Sequence, residues 1–195
     1  GRLYGHSRLP YLAAAHFVVI GIGGVGTWVA EALARSGIGH LTLIDLDDIC
    51  VSNTNRQLHA LQSSIGQSKT AVMAERLRDI NPEINIVEVM DFITRRNVEA
   101  LLKPDEHHIV IDAADSAHAK SSVIAFCRRH KMQVLTIGSA GGKTDLTILQ
   151  NAGFNVKCKL RHSPVRDRIN AVNSRLKSAD GNRYIYVNPT CKTII

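Results

Sequence analysis

The stretch His16-Phe-Val-Val-Ile-Gly-Ile-Gly-Gly-Val-Gly26 determines the fold of this chain. Residues 16–21 form an apolar run, which is typical of a strand covered by helices on both faces. Residues 27–36 follow with apolar side chains at helical spacing. A strand, a Gly-x-Gly-Gly-x-Gly segment and a helix in direct succession indicate a nucleotide-binding α/β unit.

The glycines of this segment predict how a nucleotide binds. Gly21 permits a tight turn, Gly23 and its neighbour Gly24 let the backbone approach a phosphate, and Gly26 lets the helix pack closely on the strand. The free amides at the start of the helix favour an anion. Asp45 ends the next predicted strand, where a carboxylate commonly accepts hydrogen bonds from a ribose. We therefore predict that the chain binds an adenine nucleotide.

Strand and helix patterns alternate along the chain, which predicts an α/β fold with a doubly wound, mostly parallel, Rossmann-like sheet. The predicted strands are residues 16–21, 40–45, 84–89, 108–112 and 133–137, and the predicted helices are residues 27–36, 68–80, 97–102 and 117–130. A C-terminal extension follows, with strands at residues 144–149 and 184–187 and an amphipathic helix at residues 164–177. We predict an ATP-binding domain over residues 1–150 and a basic extension over residues 151–195.

Composition excludes several classes of protein. Of the 195 residues, 45% are hydrophobic and 21% are charged, as in ordinary globular proteins and unlike disordered ones. No apolar run approaches the ~18 residues that cross a bilayer, and nothing resembles a signal peptide. Cys50, Cys127, Cys158 and Cys191 form no Cys-x-x-Cys pair, which disfavours a four-cysteine zinc site. We therefore expect a cytoplasmic protein without a membrane span or a disulfide framework.

The net charge of +7 is concentrated at one end of the chain. Residues 1–150 hold 15 basic and 15 acidic side chains, whereas residues 151–195 hold 9 and 2. Clustered lysine and arginine gain affinity for a polyanion by releasing its counterions, so nucleic acid is the first candidate partner. A solvated basic tail that only keeps the protein in solution is the alternative.

Charged residues at the carboxyl ends of the predicted strands bear on the choice between NAD and ATP. A triphosphate requires more positive charge than a dinucleotide, and usually a metal ion, because charge builds up as pyrophosphate leaves. Arg56 and Lys69 supply two cations, and Asp115 supplies an oxygen ligand for Mg²⁺. This set favours ATP chemistry over hydride transfer, which stays open as the alternative.

Five motifs in order resemble one enzyme superfamily. They are Gly-x-Gly-Gly-x-Gly, Asp45-x-Asp47, Ser52-Asn-x-x-Arg-Gln57, the helical Lys69 and Asp112-x-x-Asp-Ser116. Over roughly residues 1–150 the chain resembles the ubiquitin-activating-like, ATP-dependent adenylating enzymes. That resemblance implies the same α/β fold and the activation of a carboxylate by ATP.

Further segments resemble one branch of that superfamily, whose members dehydrate threonylcarbamoyladenosine in tRNA. The segments are Arg2-Leu-Tyr-Gly5, Gly37-Ile-Gly39, Asn53-Thr-Asn-Arg-Gln-Leu-His59, Cys127-Arg-Arg129 and Gly138-x-x-Gly-Gly142. In that reaction the threonyl carboxylate attacks the α-phosphate of ATP and releases pyrophosphate. The neighbouring carbamoyl group then closes onto the activated carbonyl and expels AMP, with net loss of water.

The resemblance also implies a role for each matching residue. Asp45 binds the ribose, Asn53, Arg56, Gln57 and Lys69 contact the phosphates, and Asp115 holds Mg²⁺. Arg2 matches a position at which family members lend an arginine to the partner's ATP, which implies a homodimer.

Two other functions stay open. One is an adenylyltransferase that activates the C-terminus of a ubiquitin-like sulfur-carrier protein, and the other is a non-catalytic nucleotide-binding protein. The missing zinc cysteines and the basic segment 151–195 favour the tRNA substrate, although a sulfur-relay protein remains a candidate partner. We interpret His59 and His118 as structural or surface groups and Trp28 as a packing residue, with a place in the lining of the nucleotide pocket as the alternative for Trp28. We assign no inherited role to Cys158 or Cys191.

Overall fold

The computed structural model describes residues 6–104, 108–137, 150–153 and 185–188, the last two segments as backbone only. The chain divides into two compact units, Gly1–Phe92 and Ile93–Ile195. The domain boundary that the sequence predicts at residue 150 stays a prediction, since residues 138–149 lie outside the described ones.

The first unit is built on three parallel strands in the order β3-β2-β1. Its strands are β1 (His16–Ile20), β2 (His40–Ile44) and β3 (Asn85–Val89), and its helices are α1 (Leu9–Ala14), α2 (Gly26–Arg35) and α3 (Lys69–Ile80). Helix α2 packs on β1, and α3 packs on β2, β3 and α2. The core is formed by apolar side chains that are at most 3% exposed: Val18, Val19, Ile20, Leu41, Leu43, Ile44, Met73 and Leu77.

An ion cluster joins α2 to α3. Glu31 accepts from Arg35 Nη2 at 2.8 Å through Oε1 and from Arg76 Nε at 2.7 Å through Oε2. The hydrogen bond from Arg76 lowers the pKa of the Glu31 carboxyl, which is only 8% exposed. Because both oxygens have cationic partners, the carboxylate stays charged where the two helices meet.

The second unit contains strands β4 (Ile109–Asp112), β5 (Gln133–Ile137), β6 (Gln150–Gly153) and β7 (Ile185–Asn188). Strands β4, β5 and β7 are parallel, and β6 pairs antiparallel with β7, which gives the order β4-β5-β7-β6. Helix α5 (Ala117–Arg129) packs on β5 and on the short helix α4 (Val98–Leu102). Ser116 caps α5 by accepting from the Ala119 N–H at 3.4 Å.

The predicted α/β class with a mostly parallel Rossmann-like sheet is confirmed. Every strand and helix predicted between residues 16 and 137 is present with ends within one residue of those predicted, and an antiparallel strand follows them. The predicted strand at residues 144–149 and the predicted helix at residues 164–177 lie outside the described residues. None of the helices in the described part is long and apolar enough to cross a membrane.

Two side chains of interest lie in the helices. Cys127 on α5 is fully buried, and burial raises the pKa of its thiol to about 12, so it is an unreactive core residue. Trp28 on α2 is 58% exposed, so its interpretation as a packing residue is wrong for the described part of the chain.

The sequence did not predict α1, whose C-terminal end packs against the turn before β2. Gly39 donates its N–H to the Leu12 carbonyl at 3.2 Å. A Cβ at Gly39 would overlap the carbonyl oxygen of Ala13 and lie 2.7 Å from its carbonyl carbon. Only glycine therefore allows this close approach of α1 to the turn.

Gly39→Ala is expected to lower the free energy of unfolding by about 3 kcal/mol, because backbone atoms cannot yield as a flexible side chain does. Gly37→Ala is the matched control: φ is +80° there and nothing lies within 4 Å of the added Cβ. Its cost is backbone strain alone, about 1–2 kcal/mol. Urea unfolding measures both, and equal losses would contradict the close packing of α1.

Candidate functional site

The glycine segment forms the turn that connects β1 to α2. Gly21 has φ +83°, and its N–H donates to the Ile44 carbonyl at the end of β2 at 2.8 Å. The Thr27 hydroxyl donates to the Gly23 carbonyl at 2.8 Å, beside the bond from the Thr27 N–H to the same oxygen at 3.1 Å. Gly26 is the first residue of α2. The turn therefore lies at the N-terminus of a helix, where an anion is stabilised.

Asp45 lies directly after β2 and holds the glycine turn. Its Oδ2 accepts from the Ile22 N–H at 2.6 Å, and its Oδ1 accepts from the Asp47 N–H at 2.9 Å. The residue is 8% exposed. A carboxylate has about four acceptor positions, so two bonds leave capacity for a ribose hydroxyl. The sequence predicted the ribose contact and missed the structural bond to Ile22.

Arg56 lies against the glycine turn. A Cβ at Gly24 would lie 3.3 Å from both Cγ and Cδ of Arg56. Its Nη1 donates to the Ser52 carbonyl at 3.0 Å and to Asn55 Oδ1 at 2.8 Å, and the residue is exposed. One bond to a backbone carbonyl and one to a neighbouring side chain thus orient an accessible guanidinium beside the glycine turn.

Two amide side chains flank Arg56. Gln57 is 7% exposed, and its Nε2 would lie 3.8 Å from a Cβ at Gly23. Its Oε1 is buried and has no hydrogen-bond partner in the part of the chain described. Asn53 uses its Oδ1 to accept from the Cys50 N–H at 3.0 Å, which leaves its NH₂ group as the remaining donor.

Lys69 is the first residue of α3 and is 6% exposed. Its Nζ donates to Asp47 Oδ2 at 2.8 Å, and the Asp47 side chain is 53% exposed. An ammonium has three protons, so two remain for further acceptors. The sequence noted Asp47 only as part of the Asp-x-Asp motif; the structure adds that it orients Lys69.

The contacts at the glycine turn do not include the two remaining predicted residues, Asp115 and Arg2. Asp115 follows β4, is exposed and belongs to the second unit, and Arg2 lies outside the described residues. Within residues 6–104 and 108–137, no group of three His, Cys, Asp or Glu side chains is arranged to hold a metal ion. A single exposed carboxylate suits Mg²⁺ that takes its other ligands from water and substrate phosphates.

His59 is part of the site, although the sequence placed it among structural or surface groups. It is 2% exposed, and its Nε2 lies 2.9 Å from the Ile22 carbonyl oxygen. The surface interpretation is therefore wrong, and the structural one agrees with the contact. His59 has no periodic pattern around it, so only its place beside the Asn-x-x-Arg-Gln motif offered a signal.

A comparison with known proteins decides the family. Residues 2–180 match the sequence profile of the ThiF family. The chain belongs to the ThiF family. Its resemblance to adenylating enzymes, inferred from five motifs, is thereby confirmed.

Individual relatives of this ThiF family chain are also known. It is 54% identical over 149 residues to the tRNA threonylcarbamoyladenosine dehydratase of Escherichia coli (strain K12), which covers 76% of this chain and 55% of that protein. A crystal structure of the E. coli enzyme in complex with ATP has a TM-score of 0.83 and 44% identity, covering 95% of this chain and 78% of that one. The molybdopterin-synthase adenylyltransferase of E. coli is less similar, at 30% identity over 125 residues, 64% of this chain and 49% of that protein.

Proposed function

We propose that this ThiF family chain uses ATP to dehydrate threonylcarbamoyladenosine in tRNA, through adenylation of the threonyl carboxylate. The position of Arg56 against Gly24, at the N-terminus of α2, carries the proposal. This position places the Arg56 cation beside backbone amides that favour anions, and the two together suit a triphosphate. The 54% identity to a tRNA threonylcarbamoyladenosine dehydratase supports the choice of substrate.

The described residues suggest how ATP binds. Asp45 accepts from a ribose hydroxyl, and the amides of residues 23–26 receive the phosphates. Arg56, the free protons of Lys69, and the amide groups of Asn53 and Gln57 donate to phosphate oxygens. Asp47 orients the Lys69 ammonium through the 2.8 Å contact.

We also propose that Asp115 holds Mg²⁺. When bound, the ion offsets the negative charge of the phosphates and of the departing pyrophosphate. The exposed carboxylate of Asp115 is free of the buried ion pair formed by its neighbour Asp112, so it can act as an oxygen ligand.

Both steps of the proposed reaction balance in atoms, and neither uses a nucleophilic side chain of the enzyme. A carboxylate oxygen of the threonyl group attacks the α-phosphorus, and the bond to the β-phosphate oxygen breaks to release pyrophosphate. The carbamoyl nitrogen then attacks the activated carbonyl carbon, loses its proton to solvent, and AMP leaves with the carboxylate oxygen. Ring closure within one substrate needs no cysteine, because proximity replaces the nucleophile.

The partners in this proposal are tRNA and a second copy of the chain. Residues 151–195 hold 9 basic and 2 acidic side chains, which suits a polyanionic substrate. Arg2 is proposed to reach the ATP of the partner in a homodimer. A cytoplasmic location follows from the tRNA substrate and agrees with cysteines that lack the spacing of a disulfide framework.

The second candidate is adenylation of a ubiquitin-like sulfur-carrier protein, with a sulfur-relay protein as partner. It is favoured by the 30% identity to a molybdopterin-synthase adenylyltransferase. The basic segment 151–195 also suits an acidic carrier protein.

Incubation of the full chain with Mg²⁺, ATP labelled at the α-phosphate and threonylcarbamoyladenosine-containing tRNA tests the proposal. We expect AMP to form with that tRNA and not with the matched tRNA that lacks the modification. An adenylated carrier protein, formed without RNA, would support the second candidate instead. ATP binding without turnover of either substrate would indicate a non-catalytic protein.

A further inference from the structure

The backbone of Ile22, inside the glycine turn, is held by two side chains, one at its N–H and one at its carbonyl oxygen. Its N–H donates to Asp45 Oδ2 at 2.6 Å, and its carbonyl oxygen lies 2.9 Å from His59 Nε2. The Ile22 side chain is fully buried. The position of the turn therefore depends on two side chains from different parts of the chain.

The carbonyl of Ile22 fixes the state of the His59 ring. A carbonyl oxygen only accepts, so Nε2 must carry the proton and donate it. Burial lowers the pKa of His59, and the charge of Lys69 lowers it further, against the Ile22 bond and the Asp45 carboxylate, which raise it. Nδ1 is buried and has no partner in the part of the chain described. A second proton there would have no acceptor, so the ring is neutral near pH 7.

The backbone of His59 is also fixed. Its carbonyl accepts from the Ser64 hydroxyl at 2.5 Å, and the same hydroxyl accepts from the Leu61 N–H at 2.9 Å. Ser64 ends the 3-10 helix Gln62–Ser64. These hydrogen bonds hold His59 in a fixed position, so it is not at the tip of a mobile loop.

His59 follows Gln57 by two residues and Arg56 by three. Both of those residues lie against glycines of the turn, Arg56 at Gly24 and Gln57 at Gly23. Among the described residues, the bond from His59 to the Ile22 carbonyl joins the segment 53–59 to the glycine turn.

We propose that His59 is a positioning residue for ATP: as a neutral donor to the Ile22 carbonyl it holds the glycine turn and the segment 53–59 in the arrangement that binds the phosphates. This inference rests on the proposed binding of ATP but not on the identity of the carboxylate substrate. His59 does not act as an acid–base catalyst, because its Nε2 is engaged by the backbone and its ring is 2% exposed.

Removing the donor leaves the Ile22 carbonyl unsatisfied, and the turn then populates other arrangements. The apparent dissociation constant rises by the inverse of the fraction that stays competent to bind. We expect His59→Leu to weaken ATP binding by about tenfold or more.

The experiment measures ATP binding to the full chain by calorimetry, with Mg²⁺ and without RNA. His59→Gln is the rescue variant, because its amide nitrogen can donate to the same carbonyl, and we expect it to bind ATP within about threefold of the wild type. Ile86→Ala controls for lost stability, because it shortens the one buried side chain of β3, a strand that β2 separates from β1 and the glycine turn. It is expected to lower the melting temperature and leave ATP affinity unchanged.

The outcomes separate this inference from the proposed function. Equal affinity in wild type and His59→Leu, or equal weakening in the leucine and glutamine variants, overturns the role of His59. Wild-type protein that binds ATP but forms no AMP with modified tRNA overturns the proposed substrate alone. No binding of ATP by the wild type overturns both. If His59→Leu does not fold, His59→Phe keeps the ring, removes the donor and carries the same expectation.

Discussion

Arg56→Ala is expected to lower turnover with ATP by about a thousandfold, which is the effect of removing a cation from a charge that develops in the transition state. The guanidinium lies against Gly24 and is oriented by the carbonyl of Ser52 and the side chain of Asn55. AMP release at saturating ATP measures the loss. Because Arg56 is exposed, the free energy of unfolding should change by about 0.5 kcal/mol or less.

Arg78→Ala is the matched control for this prediction. Arg78 is an arginine of the same unit, 48% exposed, whose Nη2 pairs with Glu88 at 2.9 Å on the surface. Surface pairs contribute about 0–1 kcal/mol, so its loss should leave turnover unchanged. A near-normal rate for Arg56→Ala would mean that Arg56 does not contact the phosphates.

Lys120→Met is expected to lower the free energy of unfolding by about 3–5 kcal/mol, since it leaves a buried carboxylate without its counter-charge. Lys120 on α5 is 1% exposed, and its Nζ lies 3.2 Å from Oδ2 of Asp112, which is fully buried at the end of β4. Nζ also lies 3.4 Å from the Asp112 carbonyl. The pair thus ties β4 to α5 across the segment that carries Asp115.

The loss of unfolding free energy in Lys120→Met should be larger at high pH than at low pH. Burial raises the pKa of Asp112, and in Lys120→Met no ammonium opposes that rise. When the pKa of a carboxyl is higher in the folded than in the unfolded protein, the charged form destabilises the fold. This loss of stability grows as the pH rises above the pKa of the unfolded state and shrinks as the pH falls. Urea unfolding should therefore show a smaller difference from wild type at pH 5 than at pH 8.

The double variant Asp112→Asn with Lys120→Met is the control. It removes both charges and keeps the side-chain oxygen that accepts from the Ala114 N–H at 3.2 Å. Neutralising both partners of a buried pair is often close to neutral in stability, so the double variant should be clearly more stable than Lys120→Met alone. If the two are equally unstable, the buried charge of Asp112 is not the cause.

The sequence predicted those parts of the fold that depend on apolar periodicity. Strand β1 and helix α2 bury apolar side chains that recur at regular spacing. This spacing can be read from the sequence alone and predicts both elements. The same holds for α5, where Val123, Ile124 and Cys127 are buried. Lys120 falls on the same helical face as Ile124 and Cys127, so its burial could have been predicted from its spacing.

The sequence predicted no helix or strand between β2 and α3. The two 3-10 helices of this segment, Val51–Asn53 and Gln62–Ser64, are held by bonds between side chains and the backbone. Asn53 Oδ1 accepts from the Cys50 N–H, and the Ser64 hydroxyl donates to the His59 carbonyl. Such bonds involve common polar residues and leave no periodic pattern. The motif predicted which residues of this segment matter, but the bond from His59 to Ile22 joins residues 37 positions apart and requires the structure.

The fate of the carboxylate oxygen tests the central claim most directly. Modified tRNA is prepared with ¹⁸O in both oxygens of the threonyl carboxylate and incubated with the full chain, Mg²⁺ and unlabelled ATP. Attack on the α-phosphorus followed by ring closure predicts AMP that carries one ¹⁸O atom, together with unlabelled pyrophosphate. ADP with labelled phosphate, or AMP without the label, would contradict adenylation of the carboxylate.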